Sequence, residues 1–445
     1  FGKDVHGVPV VGDTDKIADA VRLHEIELIL IAVTTASATQ MRRIVDACEA
    51  SGVPFRTLPR LDDLMSGQVT VKQLRDVRIE DLLGRQSVSL DWEAINREIR
   101  DKRILVTGGG GSIGSELCRQ IARLRPAQLI IFEQSEFNLY TIEAELVREF
   151  PQLSLTAMLG DATDVAAVEN LFAIHAPQVV FHAAAYKHVP MLEQHSRAAV
   201  VNNVFGTRVV AHAAHNHGCE AFVLVSTDKA VNPSNIMGTT KRVAEIVCQT
   251  LNRSSNTRFI TVRFGNVLGS SGSVIPLFQK QIAAGGPVTV THPDITRYFM
   301  TIPEAAQLIL QAGVLGGGGE IFVLDMGEPV KIAYLAEQLI RLSGKKPGED
   351  IQIIFTGLRP GEKLYEELFH PNEKLQATRH PKILLAGSRE YHAAPVDEAL
   401  TALAGAAAAL DESRLREILI KLVPEYSGHG RKTATDAANV IPFAR

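Results

Sequence analysis

Apolar runs alternate with amphipathic stretches along most of the chain, and this predicts strands and helices in turn. In the first part, 8–11 reads as a short strand and 14–24 as a helix capped by Thr14. Residues 26–33 (IELILIAV) form a continuous apolar strand, 37–51 a helix stopped by Gly52, and 53–58 a last strand. Such alternation implies a parallel sheet covered on both faces. Residues 1–85 therefore read as a partial Rossmann-like α/β module. They show no glycine-rich phosphate loop, so a structural or regulatory role is expected. Residues 86–102 form a connector whose charged helix starts at Trp92, the only tryptophan and an expected packing anchor between modules.

The pattern restarts at Arg103. Ile104-Leu105-Val106-Thr107 reads as a buried strand, 108–114 (GGGGSIG) as a turn, and 115–124 as a helix. A strand over 128–132 then leads to Glu133. A strand, a glycine turn, a helix and an acidic residue about twenty positions on are the parts of a dinucleotide site. Gly108 makes the tight turn, Gly111 lets backbone N–H groups approach a pyrophosphate, and Gly114 lets helix pack on strand. The phosphates then sit at the helix N-terminus, beside Ser112 and Ile113. Glu133 can accept from both ribose hydroxyls and would repel a 2′-phosphate, which favours NAD, with NADP as the alternative. Strands over 153–159 and 178–182 carry further wall residues: Asp161 and Ala162, then Ala183, Ala184 and Ala185. Asn203 opens the next helix and is counted with them.

A strand over 221–225 runs into 226–241, STDKAVNPSNIMGTTK, where Gly238 opens a helix over 239–251. Thr227, Asp228 and Lys229 thus sit at the carboxyl edge of the sheet, where ligands of open parallel sheets bind. A carboxyl beside an amine there reads as an acid–base pair whose pKa values the site separates, or as a solvated turn pair. Further on, 274–284 reads as a helix, 288–290 as a strand and 303–315 as a helix. The glycines at 316–319 read as a flexible connection to a strand at Ile321, and 395–410 as an alanine-rich helix. The expected domains are 103–390 for cofactor and substrate, 391–426 for a helical segment, and 427–445 for a disordered tail.

Composition narrows the function classes. Of 445 residues, 46% are apolar and 22% charged, the balance of a soluble globular protein. A net charge of -4 gives no footprint for nucleic acid or an anionic membrane. Cys48, Cys118, Cys219 and Cys248 are dispersed, which speaks against a disulfide framework or zinc site and for a reducing compartment. His212, His215 and His217 lack a carboxylate or cysteine partner in sequence and read as a cationic helix end, so no metal is expected. No apolar run approaches the roughly 20 residues of a membrane span, and there is no signal peptide. The chain opens on Phe1 and is expected to be a fragment.

Six segments together carry a resemblance: TGGGGSIGSEL, HAAAYKHVPMLE, STDKAVNPSNIMGTTK, RFGNVLGSSGSVIP, TRYFMTIPEA and RPGEKLYEEL. They resemble the extended short-chain dehydrogenase/reductases, and more narrowly the membrane-anchored UDP-N-acetylglucosamine 4,6-dehydratases of bacterial polysaccharide biosynthesis. The resemblance implies an α/β fold: a Rossmann-type doubly wound parallel sheet with a smaller substrate-binding lobe, preceded by the partial module. It also implies a mechanism in which NAD takes a hydride from sugar C4, water is lost across C5 and C6, and the hydride returns to C6. Thr227 would hydrogen-bond at the C4 hydroxyl. Asp228, with a raised pKa, would be the acid at the C6 oxygen, and Lys229, with a depressed pKa, the base at C5. Lys241 matches the lysine that binds the nicotinamide ribose.

On the same match Lys187 would reach both cofactor and substrate. His188, Asn266 and Val274 would line the sugar nucleotide, Arg297 and Arg359 would hold the diphosphate, and Glu362 the uridine ribose. One departure stands out. The superfamily's tyrosine, four residues before the lysine, is Met237 here, and a thioether cannot take a proton. The base for C4 oxidation is left between Asp228 and an ordered water. A 4-epimerase and a non-catalytic NAD-sensing scaffold are the alternatives. A homo-oligomer paired through domain helices is expected, with a membrane segment upstream of Phe1 and this portion on the cytoplasmic side.

Overall fold

The computed structural model describes residues 4–33, 36, 38–58, 76–83, 88, 90–370, 373–387 and 392–428. The chain divides into two compact units. One takes residues 1–89, 277–288 and 334–354; the other takes 90–276, 289–333 and 355–445.

In the first unit, strands Ile29–Ile31 and Phe55–Thr57 pair in parallel, Ile29 opposite Phe55, with helix Ala38–Ala50 between them in the chain. Gly52 ends that helix with φ +74. The helix expected over 14–24 is a short 3-10 turn, Thr14–Lys16, leading into Ile17–Leu23. Its cap is Asp13, whose side chain accepts from Asp15 N, and not Thr14. The short strand Val8–Pro9 pairs back on Asp4–Val5.

The second unit is built on a nine-stranded sheet. From one edge its strands are Gln376–Ala377, Ile383–Ala386, Ile321–Leu324, Arg258–Arg263 and Ala221–Val225. They continue with Val179–His182, Arg103–Thr107, Gln128–Glu133 and Leu155–Leu159. Every pairing from Ile321–Leu324 to Leu155–Leu159 is parallel, and the two strands beyond Ile321–Leu324 are antiparallel. The strand order reverses at Arg103–Thr107, which makes a crevice at the carboxyl ends of it and Val179–His182. The central strands are buried on both faces, as continuous apolar runs require. This confirms the expected Rossmann-type α/β class.

Helix Ile236–Asn252 is buried almost all round. On one side it packs, through Ile236, Met237, Val243 and Val247, in an apolar cluster with Leu400, Leu403, Leu415 and Leu419. Those leucines come from helices Ala393–Ala408 and Glu412–Leu422, so the chain's own C-terminal helices cover this face.

Trp92 opens helix Trp92–Ile99 and is 48% exposed. Two expectations need correction. The glycines at 316–319 are held, because Gly317 N and Gly318 N donate to the Glu320 carboxylate and Gly319 N to Phe259 O. Their φ angles at Gly318 and Gly319 are positive, so glycine meets a backbone need and not a need for flexibility. His217 does have a carboxylate partner, Glu169 at 2.9 Å, and His215 bonds Ser255 at 2.7 Å. Among the described residues no cluster could hold a metal ion, and no helix is long and apolar enough to cross a membrane. The expected disordered tail lies, past Gly428, outside the described residues.

Candidate active site

The glycine turn follows strand Arg103–Thr107. Gly108 has φ +65, and a Cβ on it would stand 2.6 Å from Ala184 N. A Cβ on Gly114 would stand 2.1 Å from Gly108 O, so the helix can press on the turn only with glycine there. Gly109 and Gly110, which sequence reading passed over, are equally crowded: their Cβ atoms would meet Ile131 and Asn138 at 2.5 and 2.6 Å. Gly111 has more room, 3.2 Å to Gly108 O, and serves as N-cap of helix Ser112–Arg123. The helix thus starts at Ser112, not Ser115, and the N–H groups of Ser112 and Ile113 lie in its first turn.

Glu133 ends strand Gln128–Glu133 and is 7% exposed. Its carboxylate accepts from Gly110 N at 3.0 Å and Ser135 N at 2.9 Å, which fixes it against the glycine turn. Asp161 is exposed at the end of Leu155–Leu159 and accepts from Thr163 N at 2.8 Å, with Ala162 between them. Ala183, Ala184 and Ala185 leave strand Val179–His182, and Ala183 N bonds Thr107 O at 3.0 Å. A groove with no room for side chains, a helix N-terminus and a fixed carboxylate together fit an adenine dinucleotide.

Asn203 behaves differently from expectation. It lies in a π-helical stretch, Val200–Phe205, inside a longer helix, and is fully buried. Its amide exchanges bonds with Tyr186 N (2.8 Å) and Tyr186 O (3.1 Å) and reaches Thr240 Oγ1 (3.1 Å). The side chain braces the 183–188 segment against the catalytic helix and has no group left over for a ligand. Nearby His182, unnoticed in the sequence, is buried with its pKa pushed down to about 3 by burial and then by Lys241. Its Nδ1 meets Thr107 Oγ1 at 2.7 Å and its Nε2 meets Thr207 Oγ1 at 3.0 Å. Thr207 spends its proton on Asn203 O, so His182 Nε2 donates and Nδ1 accepts.

The catalytic stretch follows strand Ala221–Val225. Thr227 caps a 3-10 turn, Asp228–Ala230, by accepting from Lys229 N at 3.3 Å. Thr227 Oγ1 donates to Asp228 Oδ1 at 2.9 Å, and Lys229 Nζ donates to the same oxygen at 3.0 Å. Asp228 Oδ2 is buried with no hydrogen-bond partner among the described residues. Burial raises the Asp228 pKa; Lys229 opposes this and Glu366 adds to it. A buried carboxyl oxygen without a partner is best satisfied by carrying a proton or by meeting a ligand.

Lys229 goes the other way from expectation. Burial favours its neutral form, but Asp228 and Glu366 outweigh burial and its pKa is raised. Its Nζ also donates to Asn266 Oδ1 at 3.1 Å and stands 3.5 Å from Glu366 Oε1. Asp228 is the larger of the two charges that hold the lysine protonated, and Glu366, which sequence alone did not bring to the site, adds to it. Lys241 Nζ donates to Val225 O at 2.7 Å, and burial pushes its pKa down to about 8. Met237 is 4% exposed and sits in the apolar cluster under the C-terminal helices, so it acts as a packing residue.

The substrate-side residues divide. His188 lies under the Gly/Ser loop, a Cβ on Gly272 falling 2.7 Å from its Cε1. Burial, Lys187 and Arg359 all lower its pKa. Burial likewise lowers the pKa of Lys187, although its side chain reaches solvent. Val274 opens helix Val274–Ala283 and is partly exposed. Arg297 is occupied by its own chain: Nη1 donates to Thr296 O and Leu364 O, Nη2 to Lys363 O and Glu362, and Nε stands 3.7 Å from Glu366. These bonds clamp the 362–366 segment and occupy both Nη atoms. Arg359, 56% exposed at its side chain, is the arginine of the pair that can meet an anion. Glu362 holds it in place, accepting from Arg359 N and Nη2 at 3.1 Å each.

Comparison with known proteins agrees with this geometry. Residues 104–388 match the family model described as polysaccharide biosynthesis protein, and residues 2–59 match one described as CoA-binding domain. The capsular polysaccharide biosynthesis protein CapD of Staphylococcus aureus is 51% identical over 82% of this chain and 61% of its own length. The probable polysaccharide biosynthesis protein EpsC of Bacillus subtilis (strain 168) is 49% identical over 85% of this chain and 64% of its own length. The chain thus spans about three fifths of the length of these relatives. Among solved structures, Pen from Bacillus thuringiensis superposes with a TM-score of 0.61 at 34% identity, over 66% of this chain and 92% of that one.

Proposed function

The chain belongs to the polysaccharide biosynthesis protein family, in its CapD-like branch of extended short-chain dehydrogenases, and on that premise we propose that it is a nucleotide-sugar 4,6-dehydratase. The observation that carries this reading is the adjacency of Asp228 and Lys229 at the carboxyl edge, with Asp228 Oδ2 unbonded among the described residues. The substrate is UDP-N-acetylglucosamine or a near relative, an assignment that rests on the motif resemblance.

The glycine turn and Glu133 would hold NAD, which when bound would supply the hydride acceptance at C4 and its return at C6. The side chains supply the proton traffic. Thr227 orients the C4 hydroxyl through its oxygen, while its own proton is donated in a hydrogen bond to Asp228 Oδ1. Asp228, whose burial favours the neutral form, donates from Oδ2 to the departing C6 oxygen. Lys229 in its neutral form takes the C5 proton and later delivers one of its solvent-exchangeable protons to the same carbon. Lys241, with a pKa near 8, adds positive charge under the nicotinamide ribose without a fixed partner carboxylate. Met237 is buried and carries no proton acceptor, so the C4 hydroxyl proton goes to Asp228, kept ionised at the start of the cycle against its burial by the Lys229 and Thr227 donors on Oδ1, and Asp228 then becomes the acid for C6.

A 4-epimerase would need no base at C5. Incubation of substrate and enzyme in deuterium oxide separates the two readings. The dehydratase places deuterium at C5 of the product, and a product bearing none at C5 rules it out.

A further inference from the structure

The mechanism above leaves a buried carboxylate beside Lys229 unused. Glu366 is 4% exposed at its side chain and belongs to the segment that Arg297 clamps. Its Oε1 stands 3.5 Å from Lys229 Nζ and 3.7 Å from Arg297 Nε. Lys229 therefore lies between two carboxylates, Asp228 Oδ1 at 3.0 Å and Glu366 Oε1 at 3.5 Å, with Asn266 Oδ1 as a third acceptor at 3.1 Å. Asp228 and Asn266 accept hydrogen bonds from the nitrogen and Glu366 stands within ion-pair distance, so its position is constrained from three sides.

We propose that Glu366 is a positioning residue that aims the Lys229 nitrogen and ties it to Arg297, so that the base and the substrate-side clamp move as one. The proposal rests on the dehydratase reading for what Lys229 does, but the pairing itself does not. The charged groups facing Lys229 are Asp228 on its own turn, Glu366 and Arg297; Lys363 faces Glu366, and Tyr298 faces Asp228. Of these Asp228 and Glu366 favour the ammonium and Arg297 disfavours it. A carboxylate held against the amine makes it a stronger base toward the weakly acidic C5–H, while reducing the fraction in the base form at a given pH. The proton balance closes on the same nitrogen: the C5–H bond breaks, an N–H bond forms, and the N–H later breaks to reform C5–H. Glu366 exchanges no proton.

The test is the titration of the Lys229 ε-carbon resonance in full-length, NAD-loaded protein with 13C-labelled lysine, the signal assigned by its loss in Lys229→Met. Glu366→Gln keeps volume and removes charge, so the Lys229 midpoint moves to lower pH, and Glu366→Asp restores part of the shift. In turnover, the acid limb of the kcat profile moves in the same direction and the alkaline plateau falls at least about tenfold. A folded Glu366→Gln protein with an unchanged Lys229 midpoint overturns the proposal. If Glu366→Gln does not fold, Glu366→Asp decides: an intermediate midpoint supports the pairing, and an unchanged one overturns it. A wild-type protein that fails to dehydrate any nucleotide sugar defeats the functional reading instead, and the titration still decides the role of Glu366.

Discussion

Replacing Glu245 by glutamine should destabilise the second unit more than any conservative change on its surface. Glu245 lies on helix Ile236–Asn252, is fully buried, and accepts four bonds. Arg263 Nε and Nη2 donate at 2.8 and 2.7 Å, Arg242 Nη1 at 2.8 Å and Ser226 Oγ at 2.6 Å. Burial alone would raise its pKa, but Arg263, Arg242 and Ser226 outweigh burial and hold it at about 2, against an ordinary 4.5. That fall corresponds to about 3 kcal/mol of preference for the charged form. A glutamine keeps the shape but removes the charge that Arg263 and Arg242 share, leaving Glu373 at 2.8 Å from Arg263 and Glu425 at 3.5 Å from Arg242 as their remaining acid partners, so the loss at pH 7 should fall at the lower end of the roughly 3–5 kcal/mol of a broken buried pair. This is a large part of the roughly 5–15 kcal/mol that holds a typical protein folded.

The assay is equilibrium urea unfolding followed by circular dichroism, comparing midpoints at an unchanged slope. A folded-state pKa below the unfolded one gives stability that is present above pH 4.5 and lost as pH falls toward 2. Wild type should show that part of the acid decline and Glu245→Gln should not. A loss below about 1 kcal/mol, or an acid decline identical in both proteins, would refute the reasoning. Turnover is affected too, since Ser226 directly precedes Thr227 and loses its anchor.

Gly114→Ala should cut NAD affinity more than about tenfold in calorimetric titration, because its Cβ lands 2.1 Å from Gly108 O and must push helix and turn apart. Affinity within twofold of wild type would show that the turn relaxes freely. Met237→Tyr should not supply a catalytic phenol: the site is apolar and covered, so thermal unfolding should reveal a loss of about 1–3 kcal/mol, and a gain in turnover would contradict the packing role.

The parallel strands were legible because strands buried on both faces are continuous apolar runs, and 221–225 was read to the residue. Helix starts slipped where a side chain or glycine caps the first turn. Asn235 accepts from Gly238 N at 2.8 Å, so the catalytic helix begins at Ile236 and not past Gly238. The site's local pieces, the glycine turn with Glu133 and the Thr227-Asp228-Lys229 triplet, were visible because each is contiguous or has a fixed spacing. Its long-range pieces were not. Glu366 reaches Lys229 only through the fold, where it adds to the upward shift that Asp228 gives the lysine. Arg297 looked like a diphosphate ligand in its motif, whereas backbone carbonyls of 296, 363 and 364 take its donors. The fate of Met237 depended on helices from the far end of the chain.

The most direct test of the central claim is mass spectrometry of UDP-N-acetylglucosamine incubated with the purified chain and NAD, beside the Asp228→Asn protein. The account predicts a product lighter by one water with wild type, and a rate lowered about 10²–10⁴-fold when the acid is removed. An unchanged mass with the C4 epimer on a separating column, or equal dehydration by Asp228→Asn, would contradict it.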